Sequence, residues 1–224
     1  MKPVTPLKTP SSPQLLPGHR HTDPTSEIKA WCLERADEWH DQNQPVLARQ
    51  FLQHALAIDP HDVQCWIALG SLHFTGGNLD SALLAFTQAN ELKPADPAII
   101  LHLALTHQHR KEWAETEWYF RRTLELRPDD VATLKLFSGY LMARGRHEEA
   151  RHRLEQALAF DLDDVELFLR LGVCCYQLND FSAAHACFKR ALQLDPNNQM
   201  ARENLFVSHS RLIDTCHTAQ PSEN

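Results

Sequence analysis

Four prolines that close apolar segments, Pro60, Pro94, Pro128 and Pro196, stand 34, 34 and twice 34 residues apart, and Leu162 occupies the position the series leaves open. Self-similarity at a period of roughly 20–50 residues marks an array in which each unit buries its apolar face against the next. Counting back from these positions gives five equal blocks, 29–62, 63–96, 97–130, 131–164 and 165–198, without insertion or deletion. Such units stack only if every one presents the same faces in the same order, so all five must share one supersecondary structure.

Within each block a helical apolar spacing occurs twice around a short polar turn, as in Val63 to Phe74, then Gly76-Gly77-Asn78, then Leu79 to Leu92. The corresponding turns are Asp41-Gln42-Asn43, Arg110-Lys111, Arg144-Gly145-Arg146 and Asn179-Asp180. Proline stops the second segment because it lacks an amide hydrogen and restricts the residue before it. Glycine is scarce, at seven residues, and the wealth of Ala, Leu, Gln and Glu favours helices over sheets. Each block therefore reads as a helical hairpin and the chain as all-α.

The second block carries Trp66, Leu69, Gly70, Ala82, Phe86, Ala89 and Pro94, and the fifth carries Phe168, Leu171, Gly172, Ala184, Phe188, Ala191 and Pro196 at the same spacings. Small side chains let helices approach closely, and the phenylalanines fill the adjoining space. In these residues the chain resembles the tetratricopeptide repeat (TPR) family. Other blocks depart from the pattern: Arg35-Ala36 stands for Leu-Gly, Thr116 and Thr123 for the two alanines, Ser138 for the glycine and Leu162 for the proline. Ala48, Leu52 and Ala55, and likewise Ala150, Leu154 and Ala157, keep the register. The resemblance implies a right-handed superhelix, a solenoid of five helical hairpins plus a C-terminal capping helix, and a non-enzymatic role in holding another protein.

The array is expected over 27–216. Residues 199–216 should form the cap, with Arg202, Glu203, Asn204, His209 and Arg211 on a solvating face, because a final repeat otherwise exposes a surface meant for a neighbour. The proline-rich 1–26 and the end 217–224 are expected to be disordered tails.

In TPR arrays the second, fifth, ninth and twelfth residues of each first helix line a concave groove. Carried onto this chain, that face includes Ile67, Phe74, Leu101, Leu105, Gln108, Lys135, Met142, Leu169, Val173 and Tyr176. It is largely apolar, and an exposed strip of that size calls for a partner, with an amphipathic helix or extended apolar segment suiting it. The alternative is that superhelical twist or the last helix covers part of the strip. A groove without a client would favour homodimerisation. The charged clamp by which cochaperones of the family grip a C-terminal carboxylate is not apparent, because Leu33, Asp37, Leu101 and Leu105 stand where charge or amide is needed and Lys135 alone fits. The apolar character is more similar to the family's bacterial secretion chaperones, implying a scaffold or substrate-holding role. A second candidate surface is a basic edge of Arg110, Lys111, Arg144 and Arg146 in consecutive turns, suited to an acidic partner segment and to a regulatory subunit of an enzyme or secretion machine.

A net charge of −7 argues against broad attraction to nucleic acid. No run approaches the roughly 18 apolar residues of a membrane span, and no signal segment is seen, so a soluble cytoplasmic protein is expected. The six cysteines lack C-x-x-C spacing and read as reduced thiols, with Cys174 and Cys175 in the core. Fourteen histidines, His73 and His107 at equivalent positions among them, lack a metal-ligand pattern. No phosphate loop, nucleophile elbow or dinucleotide fingerprint occurs, and Cys187 and His185 are two apart on one helix and diverge, so neither cofactor nor catalytic residue is expected.

Overall fold

A computed structural model of the chain describes residues 24–42 and 44–218. They form helices α1 (Pro24–Asp41), α2 (Pro45–Ile58), α3 (Val63–Thr75), α4 (Leu79–Leu92), α5 (Pro97–His109), α6 (Trp113–Leu126), α7 (Val131–Ala143), α8 (His147–Phe160), α9 (Val165–Gln177), α10 (Phe181–Leu194) and α11 (Gln199–Thr218). Ten of them make five hairpins and α11 closes the array, as the 34-residue period requires. The first helices α3, α5, α7 and α9 each have 13 residues and the second helices α2, α4, α6, α8 and α10 each have 14. Each helix packs on its sequence neighbours, and α11 touches both α9 and α10, which makes the right-handed solenoid quasi-one-dimensional.

The helix ends repeat as faithfully as the helices. Aspartate starts most first helices: Asp62 accepts from the Cys65 amide, Asp96 from Ala98, and Asp164 from Glu166 and Leu167. The hairpin turn needs one left-handed residue, and it falls at Gly77, Lys111, Gly145 and Asn179, again 34 apart, with φ between 62° and 75°. The following amide bonds back to the preceding helix, as Asn78 to the His73 carbonyl and Asp180 to that of Cys175, satisfying its last carbonyls.

Close approach within each hairpin rests on one size-matched pair. A Cβ on Gly70 would lie 2.6 Å from the Phe86 ring, and one on Gly172 would lie 2.5 Å from that of Phe188. The pair becomes Ala36 and Leu52, Ala104 and Phe120, and Ser138 and Leu154 in the other hairpins, and all of these residues are buried. At this contact Ala36 and Ser138 are each matched by a smaller leucine, while Ala104 faces an unchanged Phe120.

Helix α1 begins at Pro24, so residues 24–26 of the expected tail are helical, and α11 runs to Thr218, past the expected limit of 216. The rest of both expected tails, 1–23 and 219–224, lies outside the described residues. Of the residues expected on the solvating face of α11, Arg202, Glu203, His209 and Arg211 are exposed and Asn204 is half-buried, but apolar side chains share that exposure. Ala201 and Ser208 take the buried stripe, leaving Met200, Val207, Ile213 and the 76% exposed Phe206 turned outward alongside Arg202, Glu203 and His209.

Candidate functional site

The ten residues carried onto the groove sit on α3, α5, α7 and α9, and every one is half-buried. An exposed apolar strip was the expectation, with partial coverage by the fold as the alternative, and these residues are partly covered. Leu101, Leu105, Met142, Leu169, Val173 and Tyr176 lay one side against the main core, and Ile67 and Phe74 against the smaller cluster of Ala82, Phe86 and Leu103. Neighbouring rings cover more: His109 meets Phe74 edge-on at 4.8 Å, and Phe181 meets Tyr176 at 5.3 Å. Towards the C-terminal end the strip opens into a cleft of about 180 Å³ lined by Val173, Tyr176, Gln177, Phe188, Asn204 and Val207. Arg211 Nε lies 3.4 Å from the Tyr176 hydroxyl.

Lys135, the one cation on this face, is committed elsewhere. Its ammonium pairs with Asp164 and lies 3.4 Å from Glu166, which in turn holds Arg170 at 2.7 Å. Burial pulls the Lys135 pKa down, but the bonds to these carboxylates outweigh it and the group stays charged. The groove accordingly offers apolar contact with a neutralised charge cluster at one flank.

The basic edge is a ladder of ion pairs. Arg110 binds Asp80 of the preceding repeat and lies 2.9 Å from Glu112, whose other oxygen is 2.6 Å from His107 Nδ1. Arg146 binds Glu117, also of the preceding repeat, and lies 2.5 Å from Glu149, while Arg121 is 2.6 Å from Glu117. The Arg146 guanidinium beside Glu117, helped by Arg121, holds that carboxyl at about 2. Arg144 stacks over Trp113 at 4.8 Å. Of the four residues expected to dock an acidic partner, Arg110 and Arg146 are half-buried in ion pairs, while Lys111 and Arg144 are exposed without a carboxylate partner among the described residues. The sequence interleaved glutamates with these arginines, and the 34-residue register brings opposite charges of adjacent repeats together.

One juxtaposition went unseen in the sequence. Cys187 was weighed against His185, yet it lies beside Cys175 across the α9–α10 seam, and the interaction of the two thiols lowers the Cys175 pKa and raises its own. Aligning residues 12 apart within each block exposes this pairing. Burial pushes the Cys174 thiol up to about 12, consistent with a packing role. His185 meets His209 at 5.3 Å, and among the described residues no group of three His, Cys, Asp or Glu side chains is placed to hold a metal ion. No described helix is long and apolar enough to cross a membrane.

The tetratricopeptide repeat family model matches residues 40–99 and 141–205, more than half of the chain. Among curated proteins, the Protein CTR9 homolog of Arabidopsis thaliana is 28% identical over 140 residues, 62% of this chain and 13% of its own length. BBSome complex member BBS4 of Bos taurus is 23% identical over 162 residues, 72% of this chain and 31% of its own. The chain thus spans less than a third of these relatives. Among solved structures, a tetratricopeptide repeat protein from Parabacteroides merdae superposes with a TM-score of 0.72 at 14% identity, covering 85% of this chain and 76% of its own. MamA gives 0.68 at 15% identity, covering 76% and 93%. YrrB, described as a TPR protein with an unusual peptide-binding site, gives 0.64 at 16%, covering 81% and 97%. At these identities the superpositions establish the fold.

Proposed function

The chain belongs to the tetratricopeptide repeat family, whose fold is a protein–protein interaction scaffold, and on that premise we propose that it holds an apolar or amphipathic segment of a partner along α3, α5, α7 and α9, as a scaffold or substrate-holding chaperone. The observation that carries this reading is the set of half-buried apolar side chains on α3, α5 and α9, joined by Met142 on α7 and ending in the cleft between α9, α10 and α11. Each has one side fixed by the core, so a ligand meets pre-ordered side chains that lose little rotamer entropy on binding. A helix presenting apolar residues at i, i+3, i+4 and i+7 is the shape such a row accepts.

The acidic-partner reading has less behind it, because Arg110 and Arg146 already have carboxylates and Arg144 lies on the Trp113 ring. The test is selection from a displayed library of random peptides, followed by affinity measurement on the winners. Amphipathic sequences should dominate, and Leu101→Glu/Leu105→Glu should abolish their binding. Arg110→Glu/Lys111→Glu should leave it within about twofold. Since both leucines also touch the core, a single Val173→Glu at the cleft serves as a milder second variant. Enrichment of acidic peptides that survive the leucine changes would refute the groove.

A further inference from the structure

Helix α11 packs on α10 and α9 through one side, where Ala201 and Ser208 are fully buried. The helical period puts Met200, Glu203, Phe206, Val207, Ser210 and Ile213 on the opposite side, and all six are exposed. Met200 and Val207 run along one flank of this stripe, Phe206 and Ile213 along the other, and Glu203 and Ser210 lie between them. The four apolar side chains, 59%, 43%, 76% and 44% exposed in that order, leave roughly 450 Å² in water, the size at which a patch marks an interaction site.

The stripe is symmetric in its spacing. Counted from the midpoint between residues 206 and 207, Met200 and Ile213 stand equally far out, and so do Glu203 and Ser210. Two such helices laid antiparallel about a two-fold axis through that midpoint bring both copies of Phe206 and Val207 to the centre. Met200 of one copy then lies level with Ile213 of the other. Glu203 lies level with Ser210, a carboxylate with a hydroxyl able to donate to it. One Glu203 oxygen takes Gln199 Nε2 at 2.8 Å, so the hydroxyl meets the other. Arg202 and Arg211 also come level, but on opposite flanks outside the stripe.

We propose that α11 is a dimerisation helix whose partner is the α11 of a second copy, paired antiparallel about the 206–207 midpoint. A pattern that is its own complement is what an isologous two-fold contact requires, whereas a foreign ligand imposes no such symmetry on the helix. The pair buries about 1,000 Å² in all, the lower limit of a specific interface, so its dissociation constant should fall in the micromolar range. The stripe is separate from the groove and meets it only at Val207, which borders the cleft beside Val173 and Tyr176.

Sedimentation velocity of the full chain, from low to high micromolar concentration, should show a reversible monomer–dimer equilibrium with no larger species. Phe206→Glu and Ile213→Glu, both at exposed positions, should each weaken it about tenfold or more, because every change enters the interface twice. Ser210→Lys should tighten the dimer severalfold at low salt, each new ammonium lying level with Glu203 of the other copy, and Ser210→Glu should loosen it. Leu101→Glu/Leu105→Glu, the variant that tests the groove, should leave the equilibrium within about twofold of wild type, so the two proposals fail separately. A monomer throughout, species that keep growing with concentration, equal effects of the two Ser210 changes, or loss of the dimer in a folded leucine double variant would each overturn the proposal.

Discussion

The two glycine–phenylalanine contacts predict unequal costs for one chemical change. A Cβ on Gly70 would lie 2.6, 2.8 and 2.9 Å from three atoms of the Phe86 ring, and one on Gly172 would lie 2.5, 2.9 and 2.8 Å from the same atoms of Phe188. By distance alone the second clash is the worse. The rings differ in where they can go. Phe86 is wholly buried and stacked on His102, with centroids 4.7 Å apart and planes 4° from parallel. Phe188 borders the cleft of about 180 Å³ beside Val173 and Tyr176 and can retreat into it. Overpacking costs about 1–3 kcal/mol where nothing yields, and replacing a mid-helix glycine by alanine returns about 0.5–1 kcal/mol. Gly70→Ala should therefore destabilise by about 1–2 kcal/mol, and Gly172→Ala should stay within about 0.5 kcal/mol of wild type. Gly70→Ala/Phe86→Leu recreates the Ala36 and Leu52 pair of the first hairpin, so the double variant should cost no more than Phe86→Leu alone. Urea unfolding followed by far-ultraviolet circular dichroism measures all four. Equal losses at the two glycines, or a strictly additive double variant, would refute the argument that the room around the ring sets the cost.

Three further outcomes follow from the ladder and the repeat ends. Glu117 titrates at about 2 when folded against an ordinary 4.5; its contribution is complete above pH 4.5 and is lost as pH falls through 2. Glu117→Gln should therefore cost about 1 kcal/mol at pH 7, after screening by solvent, and progressively less below pH 4 in thermal melts. Tyr140→Phe removes the 3.1 Å hydrogen bond from its hydroxyl to the Trp113 carbonyl and should cost about 1 kcal/mol in urea unfolding. Leu162 is 68% exposed, and its amide makes no backbone hydrogen bond among the described residues. Leu162→Pro, which restores the repeat, should thus stabilise the chain by about 0.4–1 kcal/mol, read as a higher melting temperature.

The fold was legible because period, turn and stop signals all recur on one count of 34, and hairpin geometry then has little freedom. The groove was legible as a set of positions and illegible as a surface. Which side of Leu101 or Val173 faces the core depends on packing between neighbouring helices, and no single helix's pattern records it. The basic edge failed for a related reason. Arg110 and Arg146 look like a cluster along the chain, but each also binds a carboxylate of the preceding repeat, Asp80 and Glu117, 30 and 29 residues upstream. Contacts of that separation become readable only when blocks are compared column by column, the operation that also reveals Cys175 opposite Cys187.

The same columns bear on how the C-terminal end of the described array meets water. Phe206 of α11 falls at the position of Gly70 and Gly172, the seat on which an aromatic ring of the second helix closes each hairpin. A phenylalanine there leaves no seat, so a helix of the α4 or α10 kind does not fit on α11. Bulk in place of polarity thus blocks one mode of continuation while leaving apolar area in solvent. The ring is 76% exposed, so Phe206→Glu should change folding stability by less than about 0.5 kcal/mol. Its effect should appear in association instead. If second copies meet through this face, sedimentation velocity will show the variant as a monomer at concentrations where the wild type self-associates. A loss of more than 1 kcal/mol in urea unfolding of the dilute variant would show that the ring is covered within the monomer.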